Sequence, residues 1–164
     1  MTPPSPREPG RYRVELVCLG NICRSPMAHV VLEERLAEAG LGDVVEVTSS
    51  GTGGWHVGNR MDRRAAATLS AAGYDPSRHR ARQYAAGTAD DVDLVLAMDR
   101  DNLEDLGGVS PRVMLFRAFD PVARGGDVPD PYYGGDAGFE EVLSMVERTS
   151  ATLVAAIASR LGHS

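Results

Sequence analysis

The sequence predicts a single α/β domain built on a parallel sheet with helices on both faces. Three observations carry that reading. Strand-like and helix-like segments alternate along the chain. The length, 164 residues with 43% hydrophobic content, suffices for one substantial core and is short for two domains. A Cys-x5-Arg-Ser segment, Cys18 to Ser25, fills the first junction between a strand and a helix, the place where open α/β sheets bind ligands.

Each element has its own signal. Residues 11–17 (RYRVELV) read as a buried strand. Ser25 and Pro26 then supply a capping residue and a proline for the first turn of a helix whose apolar positions are Ala28, Val31, Leu32 and Leu36 and whose stop is Gly40. A second strand is expected at 44–48, an alanine-rich helix at 59–72 before Gly73, a third strand at 92–97 with a helix at 100–106, and a short fourth strand at 113–116. The Pro-, Gly- and Asp-rich stretch 120–138 reads as a long loop, and such loops are often functional. A final helix over 139–161 has apolar residues at the spacing of one helical face. The first ten residues hold four prolines and no apolar run, so 1–10 is expected to be a disordered lead-in to a domain at 11–164.

Composition removes several functions. All 17 basic residues are arginine, which excludes mechanisms that need a catalytic amine, such as a Walker-type phosphate lysine or a lysine Schiff base. A net charge of -6 argues against a nucleic-acid partner. Charge is nonetheless uneven: 60–82 carries six arginines against two aspartates, and 120–141 six acidic residues against Arg124. No uninterrupted apolar stretch approaches the roughly 20 residues of a membrane helix, and no secretory leader is seen, so a cytoplasmic protein with no membrane partner is expected. The two cysteines, Cys18 and Cys23, lie in one loop rather than in a disulfide framework. With four scattered histidines (His29, His56, His79 and His163) they form no zinc pattern, so no metal is expected.

The loop after the first strand carries the chemistry. A turn through Leu19, Gly20, Asn21, Ile22 and Cys23 can point successive backbone N–H groups inward, and the helix N-terminus behind it adds positive potential, which suits a tetrahedral oxyanion. Gly20 and Asn21 tolerate the left-handed backbone such a nest requires. The same field favours the thiolate of Cys18, a nucleophile. Arg24 offers a planar fork for two phosphoryl oxygens, and Ser25 can cap the helix and donate to the sulfur. The implied chemistry is phosphoryl transfer to sulfur.

The run Val17 to Ala28 resembles the signature of the low-molecular-weight protein tyrosine phosphatases. The resemblance extends to Thr48-Ser49-Ser50-Gly51-Thr52, Gly54-Trp55-His56-Val57-Gly58, His79-Arg80-Ala81-Arg82-Gln83, Ala97-Met98-Asp99-Arg100-Asp101-Asn102-Leu103 and Asp130-Pro131-Tyr132-Tyr133, in family order and over about residues 11–161. It implies a four-stranded parallel sheet, Cys18 as nucleophile, Arg24 as phosphate clamp, and Asp130 as the acid that protonates the departing phenolate and then activates water. It further implies that Asn21, Ser25, Ser49 and His79 support the loop, and that Trp55, Tyr132 and Tyr133 wall a cleft for a phosphorylated phenol. No cofactor is implied. Phosphotyrosine proteins are the implied substrates, free phosphate and other oxyanions the implied inhibitors, and a monomer is expected.

Plainer readings stand beside these. Asp130 before Pro131 is an ordinary turn former, Asp99 an ordinary helix cap, and the aromatic residues ordinary core or turn residues. Cys23 is either a packed small residue or a redox partner able to trap an oxidised Cys18 as a disulfide. Two rival functions share the loop. Thiol-dependent arsenate reductases pass oxidation to further downstream cysteines, and none follows Cys23 here. A noncatalytic phosphotyrosine-binding module could dispense with Cys18 and Asp130, yet both are present.

Overall fold

The computed structural model describes residues 1–162; His163 lies outside them. Strand β1 (Tyr12–Cys18) leads into α1 (Arg24–Glu38), β2 (Val45–Gly51) into α2 (Arg63–Ala71), and a short α3 (Thr88–Asp91) precedes β3 (Leu94–Ala97). The chain continues through α4 (Arg100–Asp105), β4 (Val113–Leu115), a 3₁₀ turn at Phe116–Phe119, and α5 (Asp136–Arg160). The four strands form one sheet in the order β2-β1-β3-β4, every neighbouring pair parallel. The predicted α/β class and four-stranded sheet are therefore what the chain builds.

Alternation along β1 divides the core. Val14, Leu16 and Cys18 face a large apolar layer with Met27, Val31 and Leu32 of α1, Leu69 of α2, and Phe139, Val146 and Leu153 of α5. Val17 faces a smaller layer with Val95, Ala97, Leu103 and Val113, covered by α4. Helices thus cover both faces. With 25 residues α5 has the length to cross a bilayer, but Phe139, Val142, Val146, Leu153 and Ile157 are buried in the core.

Several boundaries differ from expectation, each for a physical reason. β2 runs on to Gly51 because it pairs with β1 in register as far as Cys18. α2 starts at Arg63 rather than 59: Asp62 caps it, accepting from the Arg64 and Ala65 N–H groups at 2.8 and 3.4 Å, while Asn59 instead gives its carbonyl to Ala81 N at 2.8 Å. Helix α1 starts at Arg24 behind Cys23, so Ser25, read as its cap, sits inside the first turn with its hydroxyl turned to the loop, and Pro26 occupies the third position, where no N–H is required. α3 and the 3₁₀ turn had no periodicity long enough to be foreseen.

The first residues make specific contacts where a disordered lead-in was expected. Arg7 N and Arg13 N each donate to the Asp93 carboxylate at 2.6 Å, Tyr12 Oη donates to Pro4 O at 2.9 Å, and Arg112 Nη1 donates to Ser5 O at 2.9 Å. These contacts lie at the amino ends of the strands, away from the phosphate loop.

Candidate active site

The loop between β1 and α1 is held from outside by its carbonyls. Cys18 O accepts from Thr52 N at 2.9 Å, Leu19 O from Gly53 N at 2.8 Å, Ile22 O from Asp62 N at 2.8 Å, and Asn21 O from His79 Nε2 at 2.7 Å. In a planar trans peptide the N–H points opposite to the C=O, so the N–H groups of Leu19, Gly20, Ile22 and Cys23 are turned toward the concave side. That is an oxyanion nest at the N-terminus of α1. Gly51 lies beneath it and must lack a side chain, since a Cβ would stand 2.7 Å from Leu19 O and 2.9 Å from Asn21 N.

Asn21 is the keystone of the turn. It has a left-handed φ of 58° and is the non-glycine residue with positive φ among those described. Its side chain is fully used: Nδ2 donates to Ser25 Oγ at 2.8 Å and Ser49 Oγ at 3.1 Å, and Oδ1 accepts from Arg82 N at 3.0 Å. Because Ser25 Oγ accepts from Asn21, its proton can go to Cys18 Sγ, 2.9 Å away, or to the more distant Ser50 O at 3.4 Å, and an anionic sulfur is the stronger acceptor. Asn21 N donates to the same sulfur at 3.3 Å. Negative charge on Cys18 Sγ is therefore met by two donors in a buried site. His79 is half-buried, and that desolvation pushes its pKa down despite the bond to Asn21, so the ring is neutral at pH 7 and its Nε2–H is the donor to the carbonyl. The expected support group of Asn21, Ser25, Ser49 and His79 is brought together here.

Arg24 is 2% exposed and closes one side of the nest. Nη1 bonds the Asp99 carboxylate and donates to Val128 O at 3.1 Å, and Nη2 lies 3.6 Å from Asp130 Oδ2. Burial works against its charge, but Cys18, Asp99 and Asp130 together hold it protonated. Asp99 also caps α4 through Asn102 N at 2.8 Å, as its reading as a helix cap expects, and its pairing with Arg24 adds a place in the site that the sequence did not show.

The cavity above the loop has a volume of about 310 Å³ and is lined by Cys18, Leu19, Gly20, Ile22, Cys23 and Arg24 below and by Trp55, His56, Asp130, Tyr132 and Tyr133 around the mouth. Trp55 and Tyr133 are strongly exposed, and the Tyr132 and Tyr133 rings meet edge to face with centroids 4.9 Å apart. Exposed aromatic residues around a polar floor suit a flat apolar group attached to an oxyanion. Cys23 is 4% exposed, and burial, then Asp62, pushes its thiol pKa far up. Among the described residues no cluster of three or more His, Cys, Asp and Glu side chains suits a metal ion.

All the expected site residues line this cavity or brace its loop. The sequence reading missed five contributors: the Asp99 carboxylate and the Val128 carbonyl on Arg24, Arg82 N on Asn21, Asp62 N on Ile22 O, and His56 in the wall, whose Cδ2 would lie 3.1 Å from a Cβ at Gly20. Three act through backbone atoms, which residue identity does not reveal. His56 was within a quoted motif, and its position beside Trp55 was the available signal.

The family model for low molecular weight phosphotyrosine protein phosphatase matches residues 13–162. A low molecular weight protein-tyrosine-phosphatase of Streptomyces coelicolor is 49% identical over 154 residues, covering 89% of this chain and 93% of its own. Low molecular weight protein-tyrosine phosphatase A of Mycobacterium tuberculosis is 50% identical over 142 residues, covering 82% and 84%. A crystal structure of a protein tyrosine phosphatase from Entamoeba histolytica, with Hepes in its active site, superposes with a TM-score of 0.85 at 29% identity, covering 90% and 97%. The matched segment includes the nest, the clamp and the loop bearing Asp130, and the chain belongs to the low molecular weight phosphotyrosine protein phosphatase family.

Proposed function

We propose that this phosphatase hydrolyses phosphotyrosine and small aryl phosphates through a cysteinyl-phosphate intermediate. The observation that carries the reading is the placement of Cys18 Sγ beneath an anion nest, with Arg24 spanning from Asp99 toward Asp130 across the same cavity. Cys18 attacks phosphorus as the bond from phosphorus to the phenolic oxygen breaks, the nest and Arg24 take the charge spread over the phosphoryl oxygens, and Asp130 gives its proton to the leaving phenolate. Asp130, now a carboxylate, then removes a proton from the water that attacks the S–P bond, releasing phosphate and the Cys18 thiolate. Trp55 and Tyr132 flank the ring, and Cys18 at the cavity floor is beyond the reach of a shorter phosphoserine.

Leaving-group dependence tests the reading. Asp130→Asn should slow phenyl phosphate by about a hundredfold or more and para-nitrophenyl phosphate far less, because only the poorer leaving group needs the proton. Matched phosphotyrosine and phosphoserine peptides should differ strongly in kcat/KM. Equal losses on both esters would reassign Asp130 to loop structure, and equal turnover of the peptides would remove the cleft argument. Reduction of arsenate with thiol cofactors, without ester hydrolysis, would favour the reductase alternative.

A further inference from the structure

We propose that Arg64 is a positioning residue for the acid, docking with Asp62 the loop that bears Asp130 onto the phosphate loop. The proposal rests on the reading of Asp130 given above and concerns how that side chain is kept in place.

Asp62 sits between the two loops. Its backbone N–H donates to Ile22 O, inside the phosphate loop, at 2.8 Å. Its carboxylate grips Arg64 twice, Oδ1 to Nε and Oδ2 to Nη2, each at 3.2 Å. Arg64 spends the rest of its fork on the other loop: Nη2 donates to Tyr132 O at 2.8 Å and Nη1 to Gly134 O at 3.2 Å. Its guanidinium lies 5.6 Å from the Tyr132 ring centroid and 4.7 Å from that of Phe139, at the start of α5.

The segment depends on this contact. Tyr132 N bonds Asp130 Oδ1 at 3.1 Å and Gly134 N bonds Pro131 O at 3.0 Å, both within the segment itself. Among the described residues, the hydrogen bonds joining 130–134 to the rest of the protein are the two from Arg64. Without them, the loop would be anchored on the upstream side of Asp130 alone, by Val128, whose N–H donates to Met98 O at 2.7 Å and whose carbonyl accepts from Arg24 Nη1 at 3.1 Å, with the 3.6 Å approach of Asp130 to Arg24 beside it. A planar fork is needed because three acceptors in different directions are held at once, which an ammonium on a flexible stem cannot do. Asp62 stays anionic at neutral pH: burial raises its pKa, but the bonds from Arg64 and the helix N–H groups lower it further.

The test is kinetics on a series of aryl phosphates whose phenols span a range of acidity, together with amide hydrogen exchange at 132–134. Arg64→Met should slow phenyl phosphate on the order of tenfold to a hundredfold, leave para-nitrophenyl phosphate little changed, and add little further loss in an Asp130→Asn background. Exchange at 132–134 should accelerate while that at 19–24 stays unchanged. Arg64→Lys should recover only part of the rate. Asp62→Asn keeps an oxygen to cap α2 and the N–H to Ile22 but removes the charge; it should move the series in the same direction and serves if Arg64→Met does not fold. A uniform loss across the series, or a loss that adds in full to that of Asp130→Asn, overturns the proposal. If Asp130→Asn itself shows no leaving-group selectivity, the acid assignment fails; docking is then decided by exchange, and unchanged exchange at 132–134 overturns it.

Discussion

The Asp99 carboxylate joins the start of α4 to the phosphate clamp, accepting from Asn102 N through Oδ1 at 2.8 Å and pairing with Arg24 Nη1 through Oδ2. A buried guanidinium is thereby aimed before any substrate arrives. With Val128 O on the same nitrogen, Nη1 is committed to the protein. The free edge of the fork is directed to the cavity, which is preorganisation of the kind that lowers the barrier to a reaction developing negative charge.

Asp99→Ala should therefore leave Arg24 buried and short of a partner. Thermal stability should fall in buffer without anions, and added phosphate should restore more of it than it adds to wild type, because the ligand substitutes for the missing carboxylate. Turnover should drop by about tenfold or more, since the fork is no longer aimed. Melting curves with and without phosphate check this, and equal phosphate gains in both proteins would show that Asp99 serves only as a helix cap.

Cys18→Ser should reduce para-nitrophenyl phosphate hydrolysis by at least about a thousandfold, because a serine hydroxyl offers no nucleophilic anion at neutral pH. Phosphate binding should survive, since the inward N–H groups and Arg24 are untouched. Calorimetric titration with phosphate separates the two effects. Near-normal hydrolysis would remove Cys18 from the mechanism, and lost phosphate binding would mean the nest depends on the sulfur.

Much of this site was legible in the sequence because its chemistry is local. Cys18, Arg24 and Ser25 fall within one turn, and the left-handed position forecast for Gly20 or Asn21 is taken by Asn21. The sheet was legible for the same reason, from short apolar runs between turn residues. What escaped was fixed by contacts distant in sequence. Asn59 to Met61 carry residues a helix could accept, yet pairing with Ala81 and the bond from Asp62 to Ile22 O hold that stretch across the back of the phosphate loop. Ser25 looks like a cap, but Asn21, four residues earlier, claims its hydroxyl. Arg64 is one arginine in a basic flank until the fold brings Tyr132 and Gly134 against it.

A second long-range contact gives a pH-dependent prediction. The loop bearing Asp130 begins at Asp120, a fully buried carboxylate gripped by Arg148 Nε at 2.9 Å and Arg117 Nε at 2.8 Å, with Val122 N also donating at 2.9 Å. Burial alone would raise its pKa, but these donors hold it well below the ordinary carboxylate value. A pKa lower in the folded than the unfolded state means the stabilisation is fully present above the unfolded carboxylate pKa, near 4, and is lost as pH falls below it. The gap in melting temperature between wild type and Asp120→Asn should be wide at pH 7 and narrow steadily from about pH 4 downward. A gap independent of pH over that range would show that the charge of Asp120 does not stabilise the fold.

Peroxide sensitivity brings Cys18 and Cys23 together. A Cys18 thiolate attacks peroxide to give a sulfenic acid and hydroxide; the Cys23 sulfur can then attack Cys18, releasing water and forming a disulfide. Both cysteines are free, and Cys23 N-caps α1 one residue before Arg24, so the bridge would form within the loop itself. Burial holds the Cys23 thiol protonated, which makes the second step slow and faster at higher pH. Phosphate in the nest should protect by excluding peroxide from Cys18. We expect brief peroxide treatment to give a Cys18–Cys23 bridge by mass spectrometry, with activity regained in dithiothreitol. Cys23→Ser, with no trap, should pass to the sulfinic acid and stay inactive. Equal recovery of both proteins, with no bridge in wild type, would make Cys23 a packing residue whose only task is to fill the space behind the phosphate loop.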